Sequence, residues 1–458
     1  MFLVLFSVIL FGANMYTFAN KKYLYLFIPC MLFLPEYYGI EISSSLPLFT
    51  VTRLMYVVFF IYAFINRRRD FSINKLLSSG NSLLISYFII RIIANCYYIF
   101  IYNQPIKTIL SLIFEQALLL IAFYMLALTN KEQILLIKSI VMASTIMFVL
   151  GIFESLSFIR VFSCLNTVSR TMLNDYYVRL GLLRATASMG LANYYGNMCI
   201  LISPFIFYLL RITKEKKYIA VLFLNILAII HSGCRSDILF FAFIVAVQLL
   251  LYFKDNEALL LFVRNVSIAL VILLAWILVL STINGKYKYY YEASGKAALN
   301  LIGFNFDLNE GALDNSMIFG DNIEGMYSRS FQFSAIEYTL GVNPFFGLGS
   351  GCENRGDLQY LYNGTWRQGW GYDLGIVEIV CSEGLVGLLG YILLLVWYII
   401  SLIKLILKRK TPTEKLHLLC MLGIAYMLCL FSTANLYSFL ILIVIFLLIE
   451  KYPCEGSV

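Results

Sequence analysis

Three arginines lie in polar segments next to long apolar runs. Arg184 opens an apolar run, Arg235 lies in a short turn between two runs, and Arg329 stands between two serines. A guanidinium keeps its positive charge and binds phosphate oxygens bidentately, so three of them at one membrane boundary would suit the pyrophosphate group of a lipid. The alternative is that each arginine only reaches the interface or pairs with a local acid, as Arg235 could do with Asp237.

Asp373 lies where a polar stretch gives way to an apolar run. A carboxylate at a helix N-terminus is stabilised by the helix dipole, so Asp373 can be a cap without any further function. Alternatively, it can act as a general base that takes a proton from a sugar hydroxyl. His231, four residues before Arg235, is a second acid/base candidate, with capping or packing as the alternative role.

Two charged residues fall inside apolar runs. Arg91 lies in the middle of one run, where a charge is costly and is therefore a functional candidate. Glu115 lies in the next run at a similar depth. We predict an intramembrane pair between Arg91 and Glu115, with either a structural or a functional role.

Aromatic residues are concentrated in the polar segment 284–371. Aromatic ring faces stack on the C–H faces of sugars, and their polar tips bind hydroxyl groups. We predict sugar contacts for Trp366 and Trp370, near the end of the segment. Tyr289, Tyr290 and Tyr291 adjoin an apolar run and better fit the aromatic belt of a membrane interface.

The elements that position these residues must be membrane helices. The chain has 458 residues, is 61% hydrophobic and 13% charged, and has a mean hydropathy of +0.83. This composition indicates that lipid is the solvent, and a spanning backbone must then satisfy its own hydrogen bonds. The alternating pattern of a β-barrel is absent from the sequence. We therefore predict an all-α integral membrane protein.

Apolar runs of spanning length predict 12 or 13 transmembrane helices. The predicted spans are 2–19, 23–40, 48–66, 82–102, 107–128, 133–154, 190–211, 218–233, 235–253, 261–283, 372–403, 415–431 and 435–450. The first is predicted to be a retained span rather than a cleaved signal, because no basic segment precedes it. Residues 1–283 form the first ten helices with a loop at 155–189, residues 284–371 form a large loop, and residues 372–458 complete the bundle.

Charge predicts the orientation of the bundle. Basic residues cluster in alternate connections, which the positive-inside rule assigns to the cytoplasm. The two long loops then face outward, into the periplasm if the membrane is the bacterial inner membrane. The net charge of +8 follows from this distribution rather than from binding to nucleic acid. Ten scattered cysteines and only two histidines predict neither a disulfide framework nor a metal site.

The sequence resembles the O-antigen polymerase and ligase superfamily of bacterial inner-membrane glycosyltransferases over roughly residues 180–400. The resemblance rests on the order of several short motifs around a late, large loop. These are Arg184 with Gly190 and Asn193, Ser232-x-x-Arg235-Ser236, Arg329, Pro344, Gly347-Leu-Gly349, and Asp373-x10-Gly384-x-x-Gly387. Ligases of this superfamily typically have His and a small polar residue where this chain has Asp373-Leu374, which favours a polymerase.

The resemblance implies a GT-C-like, all-helical glycosyltransferase that works without a metal or other cofactor. It would join oligosaccharide units carried on undecaprenyl pyrophosphate, by inverting transfer, into O-antigen or a related surface polysaccharide. Arg184, Arg235 and Arg329 would hold the pyrophosphate, with Asp373 as base and Arg329 also placed in the catalytic group. Membrane lipid is an expected partner, and a chain-length regulator is a further partner that the resemblance allows. The alternatives are a ligase that moves finished glycan to another acceptor and a flippase or other transporter of lipid-linked oligosaccharide.

Overall fold

The computed structural model describes most of the chain. The described residues are 2–35, 37–43, 46–70, 72, 80–102, 106–168, 178–312, 329–369, 371–372, 374–407, 412–432 and 438–450. They are mostly helical, which confirms the all-α prediction.

Seventeen α-helices are described, and their lengths separate membrane-spanning candidates from shorter segments. They are α1 (Phe2–Ala19), α2 (Phe27–Phe33), α3 (Val51–Ile65), α4 (Ser82–Tyr102), α5 (Lys107–Ser111), α6 (Leu118–Leu126), α7 (Asn130–Ser157), α8 (Ala192–Thr213), α9 (Lys217–His231), α10 (Arg235–Tyr252), α11 (Asn256–Ile283), α12 (Gly285–Asn300), α13 (Ser334–Val342), α14 (Cys352–Arg355), α15 (Gly375–Leu407), α16 (Thr413–Ser432) and α17 (Ser438–Ile449). A π-helical segment, Leu112–Ala117, joins α5 to α6.

Eight helical segments within the described residues are long and apolar enough to cross a membrane. They are Ser82–Ile101, Lys107–Leu126, Asn130–Ser157, Ala192–Thr213, Arg235–Tyr252, Asn256–Ile283, Gly375–Leu407 and Thr413–Ser432. Five shorter apolar helices occupy the other predicted spans. The predicted span 23–40 is wrong, because the helix ends at Phe33 and the chain becomes a strand at Gly39–Ile40.

Short antiparallel hairpins connect some of the helices. Strand β1 (Gly39–Ile40) pairs with β2 (Phe49–Thr50), and β3 (Val178–Arg179) pairs with β4 (Leu182–Leu183). Strand β5 (Gln359–Tyr362) pairs with β6 (Thr365–Gln368). The second and third hairpins lie in the two predicted long loops.

Two arginines that follow α3 form ion pairs at one end of the bundle. Arg68 donates to both carboxylate oxygens of Glu132, at 2.6 and 2.8 Å, where a capping box with Thr129 starts α7. Arg69 binds Glu450 at 2.8 Å, after the last helix. This end is called the basic end below. Because α7 runs away from it, the chain that follows Ser157 lies at the opposite end.

Residues 329–369 and 371–372 form a small unit at that opposite end, called the loop unit below. A 3-10 turn, Arg329–Phe333, leads into α13. The apolar side of α13 packs against the first turns of α15 and against β5, around the buried side chains of Ala335 and Val377. Part of the predicted loop 284–371 instead forms α12, which packs on α10 and α11.

Candidate functional site

A tight turn between α9 and α10 brings two predicted arginines together. Helix α9 ends at His231 and α10 begins at Arg235, so only three residues, Ser232–Cys234, separate the two helices. Arg184 lies against this turn, although it is about 50 residues away in sequence. The structure therefore places Arg184 beside the turn that ends where Arg235 begins α10.

The guanidinium of Arg184 is anchored by neutral acceptors. Its Nε donates to the carbonyl oxygen of Ser232 at 3.0 Å, and its Nη2 donates to Asn193 Oδ1 at 2.9 Å. Nη2 also lies 2.8 Å from Cys234 Sγ. The side chain is half-buried. None of these acceptors is a carboxylate, so the contacts fix the group in place without neutralising its charge.

Two helix N-termini flank Arg184. Helix α8 begins at Ala192 and α10 at Arg235, and their N-cap residues, Leu191 and Cys234, make no side-chain hydrogen bond to the first turn. The positive end of a helix dipole and its first amide groups favour a negatively charged ligand. A guanidinium between two such ends can bind an anion, although the first turn of α10 also carries the buried acidic residue Asp237.

Arg179, which the sequence analysis did not select, contacts the same turn. Its Nη1 donates to the carbonyl oxygen of Gly233 at 2.7 Å, one residue beyond the carbonyl that Arg184 binds. Arg179 is the last residue of β3, and the short β3–β4 hairpin places it beside Arg184. The available sequence signal was its position only five residues before Arg184, within the same predicted outer loop.

The arginines affect the nearby titratable groups. Burial raises the pKa of the Cys234 thiol, and the charges of Arg184 and Arg179 act in the opposite direction. Burial also raises the pKa of Tyr290, a residue of α12, and the same two arginines again oppose that shift. The charges of the two arginines therefore act on both groups, and at Cys234 the negative charge of Asp237 acts against them.

His231 is fully buried and serves as a link between helices. Its Nδ1 lies 2.9 Å from Ser155 Oγ, and its Nε2 lies 2.9 Å from the hydroxyl of Tyr291. Because protein groups engage both ring nitrogens, the geometry favours the packing role over the acid/base role. Tyr289, Tyr290 and Tyr291 are also buried, so their assignment to an interfacial aromatic belt is wrong.

Arg329 and Trp366, two further predicted site residues, belong to the loop unit. Arg329 begins the 3-10 turn before α13, in contact with β5, and is not part of the 232–234 turn. Its side chain, together with Trp370 and Asp373, lies outside the described residues. Trp366 on β6 is 46% exposed, and its ring centroid lies 5.5 Å from that of Tyr338. Trp366 is therefore accessible, as a sugar contact requires.

The predicted pair between Arg91 and Glu115 is wrong. Arg91 instead binds Glu383 of α15, with Nη2 2.7 Å from Oε1 and Nε 3.0 Å from Oε2. Glu115, in the π-helical segment, pairs with Arg53 at the start of α3. The error arose because depth along neighbouring apolar runs does not say which helices are in contact.

Helix α15 is broken immediately after Glu383. Gly384 has φ +64° and ψ −160°, which interrupts the helical hydrogen bonds. The loop unit supplies replacements, since the amides of Leu385 and Val386 donate to the carbonyls of Pro344 and Phe345, each at 3.0 Å. A membrane protein tolerates non-helical backbone within a membrane segment where other protein groups satisfy its hydrogen bonds. After the break, residues 385–407 form about 34 Å of helix, enough to cross a membrane alone.

No group of three or more His, Cys, Asp or Glu side chains that could hold a metal ion occurs within the described residues. The predicted independence from metals and other cofactors stays a prediction.

Comparisons with known proteins do not assign the chain to a family. No family model, no curated protein and no solved structure matches it.

Proposed function

We propose that this protein is a membrane glycosyltransferase that polymerises oligosaccharide units carried on undecaprenyl pyrophosphate. The observation that carries the proposal is the placement of Arg184 at the 232–234 turn, between the N-termini of α8 and α10. Charge neutralisation by fixed donors is what a pyrophosphate leaving group requires. The polymer would be O-antigen or a related surface polysaccharide.

In the proposed reaction, the growing chain is the donor and its pyrophosphate-lipid leaves. A hydroxyl group of the next lipid-linked unit attacks the anomeric carbon, and inversion follows from a single displacement. Arg184 and Arg235 hold the diphosphate, and Arg329 is assigned to it from the resemblance to the superfamily. Asp373 is assigned as the base that accepts the hydroxyl proton. The reaction is placed at the periplasmic face of the bacterial inner membrane.

The experiment that tests this proposal uses the purified protein in detergent. It is given a defined undecaprenyl-pyrophosphate-linked repeat unit in the presence of EDTA, and the products are separated on a gel. We expect a ladder from the natural sequence, no ladder from Arg184→Ala, and a normal ladder from Arg67→Ala. Arg67 is a suitable control because it forms an exposed ion pair with Asp70 at the basic end.

The same assay tests the base. Asp373→Asn should lose the ladder while it still binds the lipid-linked unit, because an amide cannot accept the hydroxyl proton. A ladder from Asp373→Asn would show that Asp373 is not the base and would favour its alternative role as a helix cap. No ladder from the natural sequence, under conditions in which an independent polymerase is active, would contradict the proposed polymerisation.

A second candidate function is transport of the lipid-linked oligosaccharide. The broken helix α15 and the adjacent buried pair of Arg91 and Glu383 favour it, since transporters place discontinuous helices and charges along the substrate route. However, Pro344 and Phe345 already satisfy the backbone groups freed by the break. In cells, an Arg184→Ala variant that exports single units but makes no long chains would favour polymerisation, whereas lost export would favour transport.

A further inference from the structure

The carboxylate of Glu154 is buried beside the arginine site and is surrounded by donors. Glu154 lies in the last turn of α7, and its side chain is 1% exposed. Its Oε2 accepts hydrogen bonds from the amides of Thr186 and Ala187, at 3.1 and 2.7 Å. Its Oε1 accepts from Thr186 Oγ1 at 3.2 Å and from Arg160 Nη1 at 2.8 Å.

The segment held by Glu154 is the one that carries Arg184. Between β4 and α8 the chain forms one 3-10 turn, Ala187–Met189, and Ala187 has φ +45°, which is unfavourable for a residue with a side chain. Arg160 Nη1 donates to the carbonyl oxygen of Arg184 at 2.8 Å. Glu154 therefore holds the main chain in two ways. It binds the amides of Thr186 and Ala187 directly, and it binds Arg160, which in turn binds the carbonyl oxygen of Arg184.

We propose that Glu154 is a positioning residue for Arg184. It fixes the backbone of residues 184–187, so that the Arg184 guanidinium stays against the 232–234 turn and meets the diphosphate without prior rearrangement. The inference rests on the proposed function, because it takes the diphosphate as the ligand of Arg184. Glu154 itself touches no substrate in this arrangement, since protein donors occupy both of its oxygens.

A glutamine cannot replace Glu154 in this role. Each carboxylate oxygen receives only donated hydrogen bonds, so the amide group of Gln would face a donor in either orientation. One contact would be lost whichever way the amide turned, and Arg160 would lose its buried counter-charge. The segment 184–187 should then loosen, although the shape of the side chain is preserved.

The test measures binding of undecaprenyl pyrophosphate to the full-length protein in detergent, with undecaprenol as the probe that lacks the diphosphate. The variants are Glu154→Gln, Arg184→Ala, the double variant, and Glu132→Gln as a matched control. Glu132 also pairs with an arginine and lies on the same helix, but about 33 Å away at the basic end.

We expect Glu154→Gln to weaken diphosphate binding about tenfold, which corresponds to about 1.4 kcal/mol. The number of binding sites per folded protein should stay unchanged, and Glu132→Gln should bind like the natural sequence. In the double variant, Glu154→Gln should add nothing to the effect of Arg184→Ala, because a positioning residue acts through the residue it positions.

Two results would overturn the inference. One is an unchanged Kd in Glu154→Gln, and the other is an equal weakening with and without Arg184. A purely structural role would lower the number of sites and leave the Kd of the remaining sites unchanged. Failure of the proposed function looks different, because the natural sequence would then bind undecaprenyl pyrophosphate no better than undecaprenol.

Hydrogen exchange on the same samples tests the positioning role even if the natural sequence does not bind the diphosphate. The amides of Thr186 and Ala187 donate to Glu154 and should exchange faster in Glu154→Gln than in Glu132→Gln. Equal exchange in the two variants would show that Glu154 does not hold the segment, whatever the ligand of Arg184 is.

Discussion

Arg91 and Glu383 form a buried bidentate ion pair that joins α4 to α15 directly before the break at Gly384. The guanidinium also lies 5.0 Å from the ring centroid of Tyr391, and Asn95 donates to the Glu383 carboxylate at 3.2 Å. The pair therefore satisfies both charges within the protein, at the level where the loop unit meets the membrane helices.

Removal of one member of this pair should strongly destabilise the protein. Arg91→Met leaves the Glu383 carboxylate buried without its counter-charge, which typically costs about 3–5 kcal/mol. The double variant Arg91→Met/Glu383→Met should recover most of that loss, because no charge is left buried. The measurement is resistance to unfolding by a denaturing detergent.

The control for that prediction is Arg67→Met. Its ion pair with Asp70 is exposed, and such pairs contribute about 0–1 kcal/mol. A double variant whose loss of stability equals the sum of the losses in Arg91→Met and Glu383→Met would show that the two residues act on stability independently, which would contradict a role as a pair.

The break in α15 should depend on two glycines. A Cβ added to Gly384 would lie 2.3 Å from the carbonyl oxygen of Phe345, and one added to Gly347 would lie 2.6 Å from that of Cys381. Both contacts involve main-chain atoms and cannot be relieved by a side-chain rotation. Gly384→Ala and Gly347→Ala should therefore lower the thermal midpoint and loosen the loop unit.

Gly341→Ala is the matched control for this pair of substitutions. A Cβ at Gly341 meets nothing within 4 Å, and the residue lies within α13, where alanine is favoured over glycine by about 1 kcal/mol. It should leave the midpoint unchanged or raise it slightly. Normal stability in Gly384→Ala would mean that α15 does not need the break.

Much of the fold could be predicted from the sequence, because apolar runs and basic clusters reflect simple physical constraints. Hydropathy gave the positions of the long helices, including α4, α8 and α11, since each must match the thickness of a bilayer. The run 23–40 was misassigned because an apolar composition does not reveal that the helix ends at Phe33. Hydropathy also missed that α12 packs against the bundle, because its buried tyrosines have polar tips.

The candidate site could be predicted less completely, because it depends on which helices are in contact. Arg184 and Arg235 could be predicted as site residues because each lies next to the start of an apolar run. Arg179, Glu154 and the partner of Arg91 depend on contacts between segments far apart in sequence. No local pattern marks such contacts, so a single sequence leaves them open.

Trp366 should contribute to recognition of the sugar. It is exposed on β6, and its ring is tilted by 47° relative to the ring of Tyr338, with the two centroids 5.5 Å apart. Trp366→Ala should raise the apparent KM for the lipid-linked unit severalfold, since an aromatic contact contributes about 0.5–1.5 kcal/mol beyond burial. Trp366→Phe should retain most of the affinity. Thr365→Ala, on the same exposed strand, should leave the KM unchanged, and an unchanged KM in Trp366→Ala would remove Trp366 from the site.

Arg184 should not be replaceable by lysine. Its Nε donates to Ser232 while its Nη2 donates to Asn193. The ammonium group of a lysine is a single point charge on a flexible stem and cannot reproduce this fixed pair of contacts. Arg184→Lys would keep the charge but lose this fixed geometry. Hydrogen bonds to charged groups contribute about 1.5–3 kcal/mol, so the rate of repeat-unit consumption should fall at least about tenfold. Arg67→Lys serves as the control and should react at the normal rate. A normal rate in Arg184→Lys would show that only the charge matters, and that the contacts with the turn do not orient the group for binding.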